Sequence, residues 1–202
     1  MKREGIIFVI SAPSGAGKTS LCKEIIDIFP TLRHSVSYTT RPLRAGEKNG
    51  IDYHFVSDEI FSAMVERGDF AEWAEVHDNR YGTAIATLKE AAAAGQDILL
   101  DIDCQGAAQL KKNWRQGVFI FVLPPSFEEL QRRLLGRNTD SAEVIARRTA
   151  NARDEVRQAT WYDYLVINDD FALALEQLRA VIVSEGIRTP RVLPTVAGAF
   201  GL

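Results

Sequence analysis

The chain has 202 residues, 46% of them hydrophobic and 25% charged, a composition that excludes disorder over most of its length and suits one large domain with small insertions. A formal net charge of −3 gives the whole molecule no pull toward a nucleic acid polymer or an anionic membrane, so any basic site must be local. Two cysteines, Cys22 and Cys104, are too few for a disulfide framework and lack metal-ligand spacing; with no export or anchoring signal at the start, the expectation is a reduced, cytoplasmic protein without a membrane partner.

Residues 6–10 (IIFVI) form a continuous apolar run, as in a strand buried on both faces of a parallel sheet. A helix is predicted over 19–29. From 34 to 81 the rhythm changes to short alternating strands, YHFV at 53–56 and FAEWAEV at 70–76, around one short helix. That pattern predicts a small mixed sheet inserted in the parallel core as a separate lobe. Period two within the second strand places Phe70, Glu72, Ala74 and Val76 on one face, and Ala71, Trp73, Glu75 and His77 on the other. A helix over 83–94 follows, stopped by Gly95, then a strand at 97–103 (DILLDID) that turns through Cys104, Gln105 and Gly106 into another helix. After a strand at 118–123 (VFIFVL), Ser126 and Glu129 have the capping-box spacing for a helix over 126–136. Between 132 and 157 lie seven arginines and no lysine, on helical patterns interrupted at 137–140; this is a candidate lid. A strand at 164–167 and a helix over 171–185 complete the pattern, and the tail at 186–202, with its prolines and glycines, is expected to be irregular. Strands alternating with helices predict an α/β fold, a parallel sheet flanked by helices with the small mixed β lobe inserted.

Directly after the first strand comes Ala12-Pro13-Ser14-Gly15-Ala16-Gly17-Lys18-Thr19, then a helix. This is the phosphate-loop spacing with alanine in place of the first glycine. Gly15 and Gly17 let successive backbone N–H groups turn inward around phosphate oxygens, and the helix N-terminus adds its positive dipole end. Lys18 would reach the β- and γ-phosphates of a nucleoside triphosphate, and the Thr19 hydroxyl would ligate magnesium. In the inserted lobe, TTRPLRAGE places Arg41 and Arg44 in a turn-rich loop, followed by Tyr53; guanidinium forks and a phenol suit a second phosphate, and a solvated loop is the alternative. Glu72 sits among apolar neighbours, as a base reader or a surface edge. Asp101 and Asp103 close an apolar strand at the carboxyl edge of the sheet, where ligands bind in open α/β folds, or else cap the next helix. Asp101 follows the run like an acid that holds magnesium through water. His34, His54 and His77 form no metal set.

Taken in order, SAPSGAGKT, TTRPLRAGE, GIDYHFV, FAEWAEVHDNRYGT, ILLDIDCQG, RRLLGRNTDSAEVIARR and the pair Asn168-Asp169 resemble guanylate kinase over about residues 4–185. The resemblance implies transfer of the γ-phosphate of ATP to GMP with Mg2+, and a core (1–33, 82–125 and 161–190), a GMP-binding lobe (34–81) and a lid (126–160). It assigns the guanine contact to Glu72 and Thr83, with Ser37 and Asp103 contributing, and the GMP phosphate to Arg41, Arg44, Tyr53 and Tyr81. It places Arg133, Arg137 and Arg148 over the transferred phosphate and Asn168 near the ATP adenine. Pro42 departs from the family pattern by following Arg41, where the usual proline directly precedes the second arginine; Asn138 replaces a common glycine, and the tail runs past the expected end. Two other readings are a noncatalytic guanylate-kinase-like protein-binding module and a P-loop kinase for another phosphorylated acceptor. The intact Gly15, Gly17, Lys18 and Thr19 argue against the first, and Glu72, Thr83 and Tyr53 against the second. A homodimer is compatible with the sequence, which sets no oligomeric state.

Overall fold

The computed structural model describes residues 4–76, 78–114, 117–136 and 142–201, and only the backbone of 142–147. In chain order the elements are β1 (Ile7–Ser11), α1 (Lys18–Ile28), β2 (Arg33–His34), β3 (Tyr38–Thr39), β4 (His54–Phe55), α2 (Asp58–Glu66), β5 (Phe70–Val76), β6 (Asn79–Ala84) and α3 (Ile85–Ala94). Then come β7 (Ile98–Asp101), α4 (Cys104–Asn113), β8 (Val118–Leu123), α5 (Phe127–Leu135), α6 (Ala142–Arg157), β9 (Tyr164–Ile167), α7 (Phe171–Gly186) and α8 (Thr189–Phe200).

β1 is buried throughout because it runs through the centre of a five-stranded parallel sheet ordered β2-β7-β1-β8-β9. Its side chains alternate between two cores, as period two requires. Phe8 and Ile10 meet Leu21, Cys22 and Ile25 of α1 and Ala174, Leu178 and Ile182 of α7. Ile7 and Val9 meet Leu88 and Ala91 of α3 and Ala107 and Leu110 of α4 on the other face. Both cysteines are buried and free. Helices on both faces of a parallel sheet put the strand carboxyl ends along one edge, and the loops there carry the chemistry.

The inserted lobe is a four-stranded mixed sheet, β4-β3-β6-β5, with β3 and β4 parallel and the other pairs antiparallel. Here the strict alternation expected of FAEWAEV fails at its first residue. The register shifts between Phe70 and Glu72, so Phe70 stacks on Phe61 of α2, which Trp73 also meets edge-on. A bulge adds one residue to one strand and turns the side chain before it to the opposite face. Glu72, Ala74 and Val76 keep the common face expected of them.

In α5 the Ser126 hydroxyl accepts from the Glu129 N–H at 3.2 Å, half of the capping box; the Glu129 carboxylate instead holds Arg132 and Arg133. Leu130 and Leu134 pack with Ala152 of α6, so the arginine-rich stretch is two helices on a small core of their own. The break at 137–140 lies outside the described residues. Two boundaries differ from expectation: Thr83 and Ala84 belong to β6 rather than to the helix that follows, and 97–103 contracts to β7. The irregular tail is corrected outright, since residues 189–200 are helical. Pro190 stands in the first turn of α8, where no N–H is needed, so that proline is a start signal, while Pro194 is accommodated inside the helix.

Candidate active site

Gly15 and Gly17 have φ of 93° and 91°, a left-handed conformation that turns the loop's N–H groups inward and that side chains resist. A Cβ at Gly17 would also overlap Asn168 Nδ2. Asn168 is buried, and that amide donates to the Ala16 carbonyl at 2.7 Å. The residue directly after β9 thus braces the loop. The loop residues 12–19 wall a cavity of about 230 Å³ that Val76, Asp103 and Glu155 also line.

Lys18 opens α1 and reaches back across the sheet edge, pairing with Asp101 and donating to the Ile102 carbonyl at 3.0 Å. Burial works to lower its pKa, and the Asp101 carboxylate outweighs burial and raises it, so Lys18 is cationic at neutral pH. Thr19 is an exposed residue in the first turn of the same helix. Glu155 of α6 accepts from the Ser14 N–H at 3.4 Å, and burial raises its carboxyl pKa. On an arginine-rich helix this acid reads as part of a solvated face, and only the fold brings it onto the loop.

A second cavity of about 140 Å³ adjoins the first, for both are lined by Val76 and Asp103. Ser37, Tyr53, Tyr81, Glu72, Asp101 and Asp103, all expected at the site, line it together with Ala74 and Ile102. Asp103 accepts from the Gly106 N–H at 2.9 Å as the N-cap of α4, so capping and cavity lining are two uses of one carboxylate. Glu72 is only 4% exposed. Burial pushes its carboxyl pKa up to about 7, the nearby Thr83 hydroxyl pulls it down, and the Asp103 charge adds to the rise. Thr83 lies opposite Glu72 in register. Thr83 is fully buried behind Glu72, its hydroxyl lacks a hydrogen bond of ordinary geometry among the described residues, and it is not among the residues that line the cavity.

Arg41 is 9% exposed and forked onto Glu47, Nη1 to Oε2 at 3.0 Å and Nη2 to Oε1 at 2.7 Å. It also donates to the Pro42 carbonyl at 2.9 Å and lies over the Tyr53 ring. The Glu47 carboxylate takes the Arg44 N–H at 2.8 Å as well, while the Arg44 side chain is exposed. Pro42 is therefore accommodated by a loop closed around Glu47, a residue three positions from Arg44 that the spacing could have flagged. Arg133 is held by Glu129 at 2.6 Å. Arg148 lies half-buried on α6, and Arg137 lies outside the described residues.

The pKa of Glu72 carries a consequence for ligand binding. A carboxylate accepts two donors, whereas its protonated form loses one acceptor, so a base with two adjacent donors should bind about tenfold more weakly at pH 6 than above pH 8. The nucleotide phosphate has its own titration near pH 6. Glu72→Gln should abolish only the Glu72 part of the profile, which isothermal titration across pH 5.5–8.5 would separate.

The guanylate kinase family model matches residues 4–185. The guanylate kinase of Syntrophotalea carbinolica is 66% identical over 202 residues, 100% of this chain and 96% of that protein. The one from Geobacter metallireducens is 60% identical over 100% of both chains, so the match runs through the tail residues. A crystal structure of guanylate kinase from Anaplasma phagocytophilum superposes with a TM-score of 0.80 at 32% identity, covering 100% of this chain and 98% of that one.

Proposed function

The chain belongs to the guanylate kinase family and is an enzyme that phosphorylates GMP with ATP; from that premise we propose how its residues divide the work. The observation that carries the reading is the pair of adjoining cavities meeting at Asp103 and Val76, one walled by the phosphate loop and the other holding a buried carboxylate. On this reading the core is 1–33, 82–125 and 161–190, the GMP-binding lobe 34–81 and the lid 126–160.

Residues 12–19 cradle the ATP phosphates, donating from their N–H groups at every position but Pro13, Lys18 neutralises the β- and γ-oxygens, and Asn168 holds the loop's shape beneath the nucleotide. In the neighbouring cavity Glu72 accepts from guanine N1–H and the exocyclic amine, Thr83 fills its open hydrogen bond on the base, and Ser37 and Asp103 complete the ring of contacts. Arg41, Arg44, Tyr53 and Tyr81 take the GMP phosphate, which competes with Glu47 for the Arg41 fork. The attacking atom is a phosphate oxygen already anionic at neutral pH, so no general base is required. Catalysis is in-line positioning and charge neutralisation, with Arg133, Arg137 and Arg148 closing over the transferred group.

Among the described residues no three His, Cys, Asp or Glu side chains form a metal cage. The Thr19 hydroxyl and, through water, the Asp101 carboxylate would hold the ion, beside a loop cavity that the Asp103 and Glu155 carboxylates also line. So sparse an all-oxygen set fits Mg2+, which keeps several waters and takes nucleotide phosphates as its other ligands. Once bound, Mg2+ supplies charge neutralisation on the β- and γ-phosphates. Chelating the magnesium should lower turnover by about 10³-fold or more while GMP binding, which uses the other cavity, holds within about twofold. A coupled assay and a calorimetric titration on one preparation, each with and without chelator, check this. Equal loss of GMP binding would contradict the separation of sites.

A cytoplasmic location and a role in purine nucleotide metabolism belong to the same reading. No helix among the described residues is long and apolar enough to cross a membrane. A protein-binding module would have no use for an intact phosphate loop with its lysine, so the noncatalytic alternative finds no support.

A further inference from the structure

β5 is an edge strand of the small sheet, and an edge leaves main-chain groups without partners. At Trp73 that need is met from the core. The Trp73 N–H donates to Gln109 Oε1 at 3.2 Å, and Gln109 Nε2 donates to the Trp73 carbonyl at 2.7 Å. One side-chain amide of α4 thus pairs with both main-chain groups of one residue, as a neighbouring strand would. Three residues earlier on α4, and so on the same face of that helix, Gly106 leaves room for Glu72: a Cβ there would overlap Glu72 Oε2. Gln109 therefore clasps the residue directly after Glu72, while Gly106 sets how closely the Glu72 carboxylate approaches the helix.

We propose that Gln109 is a positioning residue for base specificity, fixing β5 on α4 so that the Glu72 carboxylate is held at the depth and angle that guanine requires. The inference rests on Glu72 as the reader of the base. A misplaced carboxylate weakens the guanine contact and leaves the ATP side untouched, so the effect belongs in KM for GMP and not in KM for ATP.

The experiment compares steady-state constants for GMP, AMP and ATP in the wild type, Gln109→Ala, Glu72→Gln, the double variant and Lys112→Ala, an exposed control on the same helix. Gln109→Ala should raise KM for GMP about tenfold, as expected for loss of two ordinary hydrogen bonds, and narrow the GMP-over-AMP preference in kcat/KM by a similar factor. Its kcat and its KM for ATP should hold within about twofold. In the Glu72→Gln background the same change should narrow the preference no further, because Gln109 acts through Glu72. If the alanine variant melts early, Gln109→Glu, which keeps the length and one of the two bonds, should show the same split at reduced size.

Equal rises in KM for GMP and ATP, or a lower melting temperature with the base preference intact, would make Gln109 a structural residue only and overturn the proposal. An unchanged Gln109→Ala beside a Glu72→Gln that has lost its preference would overturn it while leaving Glu72 as the reader. A Glu72→Gln that keeps its preference would overturn the base-reader assignment, and the proposal with it.

Discussion

Lys18→Ala should lower kcat by about 10³-fold while the dissociation constant for GMP stays within about twofold. The magnitude is that of removing one pre-positioned charge from a site where phosphate charge develops, typically ~10²–10³ and more when the donor is cationic. The position is specific: Asp101 and the Ile102 carbonyl aim the ammonium at the cavity walled by the phosphate loop. GMP binding is spared because the guanine cavity is lined by Glu72, Ser37, Tyr53 and Tyr81 rather than by Lys18. The variant leaves Asp101 without its partner, and that carboxylate is 20% exposed and can hydrate. A melting curve and a GMP titration on the same sample settle the outcome. Loss of fold and of GMP binding together would show Lys18 to be structural.

Glu72→Gln should lower kcat/KM for GMP by about 10²–10³-fold and narrow the preference over AMP. The amide turns one donor toward two guanine donors, and a buried unsatisfied group typically costs ~1–3 kcal/mol. A site built to hydrogen-bond its substrate can reject a mismatched base by ~10⁴, so spoiling that bond removes most of the discrimination. The phosphate contacts of Arg41, Arg44 and Tyr53 remain, and residual GMP binding should survive.

The same variant carries its own folding control. Glu72 titrates near 7 in the folded protein against about 4.5 unfolded, so the folded state binds more protons across that window and loses stability as pH rises through it. Replacing the acid with a neutral amide removes the penalty. Glu72→Gln should therefore match the wild type in stability only below about pH 4.5 and exceed it at pH 8, by up to about 3 kcal/mol. A variant that has lost GMP selectivity while becoming more stable at pH 8 has lost a functional carboxylate and not its fold.

The phosphate loop was legible in the sequence because its information is local: eight consecutive residues between a strand and a helix specify both the conformation and the charge. Glu72 was legible through period two, since burial on one face of a strand is written in every second residue. Phe70 escaped the same rule because a bulge beside it is a property of pairing with β6, which neither residue declares alone. Gln109 was illegible for a related reason. Its partner is a backbone 36 positions away, and an exposed glutamine on a helix reads as surface. Glu47 looked like one acid in a solvated loop until the fold closed the loop around it. In α8 composition misleads, since Pro190 opens the helix and Gly201 ends it while both residue types suggest irregular chain.

The most direct test of ATP-dependent, guanine-selective phosphoryl transfer is a coupled assay with ATP and magnesium against a panel of GMP, AMP, CMP, UMP and a sugar phosphate. GMP should be turned over with kcat/KM at least about 10³-fold above AMP, the size of discrimination that paired hydrogen bonds to a base in a buried pocket supply. Comparable turnover of AMP, or a preference for the sugar phosphate, would contradict it.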